Sequence, residues 1–129
     1  MNSLAGEIVS FIEKDELSLV SISTTLGEFS VLMLGFSQSL NAQKGSKVQL
    51  LFNENELILA KIGAQLGIDN AFKSKISSIE KGEIFWQVFL EDSNLSAMLS
   101  AKIAQTLNLE PNNEVLCFVR ASNIIIKVL

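Results

Sequence analysis

The sequence predicts an all-β protein built twice: two small five-stranded barrels in tandem, each with one short helix. Three observations point there. Four segments recur in the same order at a nearly constant offset. Apolar residues alternate with the two-residue period of strands. A short run of helix formers interrupts the strands at a fixed place in the pattern.

The repeat organises everything else. "IEKDEL" (12–17) returns as "IEKGEI" (79–84), and "NSLAGEI" (2–8) is echoed by "NAFKSKI" (70–76). "EFSVLML" (28–34) resembles "NLSAMLS" (94–100), and "KVQLLFNENELIL" (47–59) resembles "EVLCFVRASNIII" (114–126). The offsets are 67, 68, 66 and 67 residues. Four colinear matches mean a tandem duplication, with units at 1–66 and 67–129. The joint "IGAQLGIDN" carries Gly63 and Gly67 as breakers and is short, so the units are expected to pack together.

The elements are clearest in the second unit. Ile84, Trp86, Val88 and Leu90 alternate with Phe85, Gln87, Phe89 and Glu91, which makes a strand. After the turn "EDSN" a second strand covers 95–99. Residues 101–107, "AKIAQTL", place Ile103 and Leu107 four apart and read as a short helix with Ser100 as N-cap. Pro111-Asn112-Asn113 makes a turn. Strands at 115–119 and 124–128 follow, separated around Ala121-Ser122-Asn123. About five strands and one helical turn per unit is the inventory of a small, partly open barrel of the OB kind. A unit of roughly 65 residues buries a low fraction of its surface. Pairing of the units, and then of chains into a homo-oligomer (dimer or trimer), is the expected remedy.

Bulk composition excludes several functions. With 129 residues, 48% apolar and 19% charged, the chain is globular. Residues 1–10 lack a basic segment followed by an apolar core, and no apolar run reaches the ~18–20 residues of a bilayer span. One cysteine makes neither an internal disulfide nor a thiolate metal site, so a reducing cytoplasm is the expected location. Cys117 reads as a small buried hydrophobe, on the strand face of Val115 and Val119. A net charge of −4 with ten scattered basic residues disfavours nucleic acid. Trp86 and the eight phenylalanines read as core or subunit interface rather than as a base-stacking platform. With no histidine and neither phosphate-loop nor dinucleotide glycine pattern, no enzyme is expected. The pair Glu91-Asp92 reads as turn residues.

One residue stands out. Arg120, the only arginine, lies inside "CFVRAS" (117–122) in an otherwise apolar run. It is either a charge on the wet face of a strand, paired with Asp69, or a clamp for an anion.

The tandem units, and above all "SAMLSAKIAQTLNLEPNNEVLCFVRASNIIIKV", resemble the Mop/TOBE family. These are molybdate-binding domains found as tandem "dimop" proteins, as tails of molybdate transporter ATPases and in molybdate-responsive regulators. The resemblance covers nearly the whole chain. It implies OB-like barrels that exchange a strand between units or chains. It also implies molybdate or tungstate as the ligand, held at interfaces between units by backbone N–H groups, hydroxyls and one cation. A tetrahedral dianion requires such converging donors.

Carried over by resemblance, the oxyanion-binding positions are Asn70, Ser100, Arg120, Ala121 and Ser122 in the second unit, and Asn2, Ser37 and Asn53 in the first. Departures are visible. Asp69 stands where the family has arginine, Ile103 and Leu34 replace hydroxyls, and Asn53 replaces the lysine whose charge Arg120 keeps. Each position also has a structural reading. Ser100 is an N-cap, Ser37 and Ser122 are turn residues, and Asn2 and Asn70 pin strand starts. The resemblance therefore implies a cytoplasmic oxyanion-binding protein for storage, homeostasis or sensing. The alternative is an oligomeric interaction module with degenerate anion sites, associated with a molybdate transporter or regulator.

Overall fold

A computed structural model describes residues 1–91 and 93–129, the side chain of Ser39 excepted. Asp92 of the Glu91-Asp92 pair therefore lies outside the described residues, while Glu91 forms a turn whose N–H donates to the Lys75 carbonyl at 2.8 Å.

The chain runs β1 (Asn2–Lys14), β2 (Leu17–Thr24), β3 (Gly27–Leu34), α1 (Phe36–Ser39), β4 (Lys47–Phe52), a 3-10 turn (Glu54–Glu56) and β5 (Ile58–Ala60). The second repeat follows with β6 (Asn70–Lys81), β7 (Phe85–Leu90), β8 (Ser96–Ser100), α2 (Ala101–Thr106), β9 (Glu114–Val119), a 3-10 turn (Ala121–Asn123) and β10 (Ile125–Val128). Among the described residues, ten strands and two short helices in duplicate order agree with the tandem-barrel expectation.

Each sheet has five strands, yet neither is built from one repeat alone. The first has the order β10-β4-β1-β2-β3 and the second β5-β9-β6-β7-β8. The last strand of each repeat is thus the edge strand of the other repeat's sheet. β5 is followed by the joint and β10 by the chain end, and each leaves a 3-10 turn that redirects it across the seam. Ile126 of β10 lies opposite Leu50, and Leu59 of β5 lies opposite Cys117. These side chains are buried in a core continuous through both sheets.

β1 and β6 are longer than the short strands expected, because each serves two partners. Residues 2–7 of β1 pair with β4, and its later residues pair with β2. A bulge between Ile8 and Ser10 bends the strand where the partners change, and β6 bulges equivalently between Ile76 and Ser78. A tight turn backs each bulge. Gly45 donates its N–H to the Ile8 carbonyl at 2.8 Å, and Asn112 donates to Ile76 at 2.7 Å. Both need a positive φ (91° and 72°), which glycine and asparagine tolerate.

β2, β4 and β7 alternate buried and less buried positions, so one face of each points inward. Val20, Ile22, Phe29, Val31, Val48 and Leu50 are almost fully removed from solvent. Phe29 of β3 meets Phe72 of β6 across the seam, with ring centroids 5.9 Å apart.

The "IEK" segments recur in sequence with an offset of 67, but the sheets place them one residue out of step. Glu13 lies opposite Ser18 in β2, whereas the residue opposite Trp86 at that position in β7 is Lys81, not Glu80. A one-residue slip reverses strand faces. Ile12 is accordingly 72% exposed, while Ile79 packs against the core.

Candidate functional site

The seam between the two sheets is built twice. Asn70 opens β6 opposite Val119, the last residue of β9, and Arg120 follows as the residue that starts the second 3-10 turn. That turn packs against β3. By the same geometry Asn2 opens β1 opposite Phe52, Asn53 starts the first 3-10 turn, and that turn packs against β8.

Both asparagines are buried and both bind across the seam. Asn70 Oδ1 accepts from the Ser30 N–H at 2.6 Å, and its Nδ2 donates to the Ser30 carbonyl at 2.9 Å. Asn2 does the same to Ser96, with both distances 2.9 Å. A carboxamide is one donor and one acceptor side by side, so it matches a strand residue whose N–H and C=O point outward.

The structure gathers Asn70, Arg120, Ala121 and Ser122 in one seam, and Asn2 and Asn53 in the other. Arg120 and Ser122 are exposed and Ala121 is buried. Among the described residues no ion pair involves Arg120, so the pairing with Asp69 is not formed. Four surface clefts of about 310 to 440 Å³ open elsewhere, and Arg120 lines none of them. The Arg120 guanidinium and the Ser122 side chain face solvent.

Ser100 and Ser37 lie apart from these clusters. Ser100 caps α2, its Oγ accepting from the Ile103 N–H at 3.2 Å. It sits four residues beyond Ser96, about 13 Å along β8. β8 is the strand that packs on the Asn53 turn, not on the Arg120 turn. Ser37 lies at the start of α1, where its N–H and hydroxyl donate to Glu13 at 3.0 and 2.6 Å. Ser18 Oγ donates to the same carboxylate at 2.9 Å and accepts from the Phe36 N–H at 3.2 Å. α1 is preceded by Gly35, which has no side chain to cap it. Glu13 and Ser18 from the neighbouring strands satisfy its free N–H groups instead. The Ser37 hydrogen bonds, then those of Ser18, hold the Glu13 carboxyl below its ordinary value.

The two seams differ in charge. In the first, the Met1 ammonium donates to Glu54 Oε1 at 2.6 Å, and the Asn53 N–H donates to Glu56 Oε1 at 2.8 Å. The hydrogen bond from that ammonium keeps Glu54 below the usual carboxylate value. In the second, Ala121 and Asn123 stand where Glu54 and Glu56 stand in the first, and the guanidinium stands where Asn53 does. Sequence reasoning missed Glu13, Glu54 and Glu56, since a surface glutamate carries no signal of what it faces until the strands are placed.

A guanidinium, a free hydroxyl and turn N–H groups are hydrogen-bond donors, suited to an oxyanion and unsuited to a bare cation. Among the described residues no three His, Cys, Asp or Glu side chains converge on a metal site, and no helix is long and apolar enough to cross a membrane.

No protein-family model matches the chain, and no curated protein matches it in sequence. Among solved structures, the cytoplasmic molybdate-binding protein ModG, in a PEG-grown crystal form with molybdate bound, is similar to it with a TM-score of 0.90. The likeness covers 99% of this chain and 96% of that one, at 21% identity. At that identity it establishes the fold: this chain has the same tandem-barrel architecture as ModG, the OB-like fold that its resemblance to the Mop/TOBE family implied.

Proposed function

We propose that this chain is a non-catalytic binding protein for a tetrahedral dianion, molybdate or tungstate, serving storage, homeostasis or sensing in the cytoplasm. The observation that carries this reading is Arg120. It is the chain's one guanidinium, exposed, free of any carboxylate among the described residues, and anchored at a seam between two barrels. Ser122 and the backbone of the 3-10 turn supply further donors beside it. The likeness to ModG, a protein solved with molybdate, supports the identity of the ligand. The lack of histidine supports the absence of catalysis.

Arg120 and Ser122 are exposed, so a second chain could add donors over them, which supports a homo-oligomer of two or three chains. Exposed apolar side chains at the barrel ends suit such contacts: Ile12, Leu17 and Leu34 in the first repeat, and Ile84 and Phe85 in the second.

Thermal unfolding with molybdate, tungstate, sulfate or phosphate tests the reading. A ligand at a hundred times its Kd adds about 2.7 kcal/mol. For a domain of this size that raises Tm by on the order of 10 °C. No shift with either metal oxyanion at millimolar concentration rejects it. The second reading, an interaction module with degenerate sites, is favoured by Asp69 beside Asn70 and by the carboxylates of the first seam. It is supported if a stable oligomer forms and neither anion changes its melting.

A further inference from the structure

The two seams are related by the internal duplication, so a duplicated anion site is the simple expectation. Their turns read "NENE" (53–56) and "RASN" (120–123). Position by position, Asn53 faces Arg120 in the comparison, Glu54 faces Ala121, Asn55 faces Ser122 and Glu56 faces Asn123. One turn carries two carboxylates and no cationic side chain. The other carries a guanidinium and no carboxylate.

We infer that the two seams have parted in function: the Arg120 seam takes the oxyanion, and the Asn53 seam excludes it by supplying its own carboxylates to the donors. This rests on the oxyanion reading and adds which of the two related sites is used. In the first seam two donors are already engaged by carboxylates. Glu56 Oε1 accepts the Asn53 N–H, and Glu54 Oε1 accepts the Met1 ammonium. A dianion arriving there would have to displace a bound carboxylate and remain beside Glu56, which has no ion-pair partner among the described residues. In the second seam, Ala121 and Asn123 offer no competing anion, and Arg120 has no ion-pair partner among the described residues.

Apart from the seams, the two repeats also differ in charge at their short helices. In the first repeat, Glu13 accepts three hydrogen bonds from Ser37 and Ser18. In the second, the matching register position is Lys81, which lies over the Trp86 ring at 4.8 Å. Ser100 there accepts from the Ile103 N–H and keeps its own hydroxyl proton free to donate.

The test uses the full chain and tungstate as the probe. Equilibrium dialysis with elemental analysis gives occupancy and Kd, and a tungstate-soaked crystal gives location. The expected result is a tungsten peak at the Arg120 turn and none at the Asn53 turn. Arg120→Asn, which copies the residue of the other seam, should weaken binding at least tenfold, whereas Glu54→Gln should leave that site's Kd within about twofold. Tungsten at both turns, tungsten at the Asn53 turn alone, or an unchanged Kd in Arg120→Asn overturns the inference while leaving oxyanion binding intact. No tungstate bound to the unmodified chain overturns the oxyanion reading itself. Should Arg120→Asn fail to fold, the peak position in the unmodified protein still decides.

Discussion

Asn70 holds Ser30 by both of its backbone groups, 40 residues back in the chain and in the other sheet. Asn2 holds Ser96 in the same way, across 94 residues. These two amides, 1% and 2% exposed, are the polar rivets of the seam, and the Phe29–Phe72 contact is its apolar counterpart. Being neutral, they work equally well at any pH.

Replacing either asparagine with alanine leaves a backbone N–H and C=O without partners. A buried group left unpaired costs about 1–3 kcal/mol. Asn70→Ala and Asn2→Ala are each expected to lower stability by roughly 2–4 kcal/mol in urea denaturation. Asn2→Ala should be the costlier, since Ser96 is more deeply buried than Ser30. A loss below about 0.5 kcal/mol in both would show that the amides do not bear on the seam.

Glu13 gives the pH dependence. Its folded pKa lies below the ordinary 4.5, because Ser37 and Ser18 hydrogen-bond the ionised form. A depressed pKa stabilises the fold fully above the unfolded value, and the contribution is lost as pH falls through the folded one. The unmodified protein should therefore lose stability below about pH 4.5 more steeply than Glu13→Gln. Identical acid limbs in the two denaturation profiles would remove Glu13 from the account.

The exchanged strands predict interdependence of the repeats. A fragment covering 1–66 lacks β10 and carries β5 with nothing to pair it, and the fragment 67–129 has the converse defect. Neither is expected to show cooperative unfolding alone, and an equimolar mixture should recover the β-sheet circular dichroism signal. A fragment that folds unaided contradicts this. Within the whole chain, Ile126→Ala, at a buried position of β10, should cost roughly 2–4 kcal/mol.

Cys117 is a reporter of opening. Its thiol is fully buried, and desolvation pushes its pKa to about 12. The thiolate is the reactive form, so a disulfide reagent at neutral pH should label the folded protein orders of magnitude more slowly than the unfolded one. Rapid labelling under native conditions would mean that β9 is not protected by β5 and β6.

Much of the fold is legible in the residues. The duplication shows as four colinear matches, and β7 shows in the alternation that buries Trp86, Val88 and Leu90, although Ile84, expected on the same face, lies outside the strand and is exposed. Ser100 shows as an N-cap because a hydroxyl before a run of helix formers has a local job. Arg120, Ala121 and Ser122 are consecutive, whereas Asn70, 50 residues earlier, is joined to them only by the resemblance and by the pairing of β6 with β9. Ser100 was grouped with Arg120 because both lie in the second repeat. The exchange of edge strands instead puts Ser100 on the strand packed against the first repeat's turn.

By itself, the sequence determined the all-β class, the count of strands and the twofold repetition, since periodicity and duplication are properties of neighbours along the chain. Only the tertiary structure decided which strand borders which sheet, the one-residue slip that sets Glu13 opposite Ser18, and the carboxylates that occupy the first repeat's donors. Those outcomes depend on bulges, turn directions and contacts between residues dozens of positions apart, where hydrogen bonds form according to distance in space rather than order in the chain.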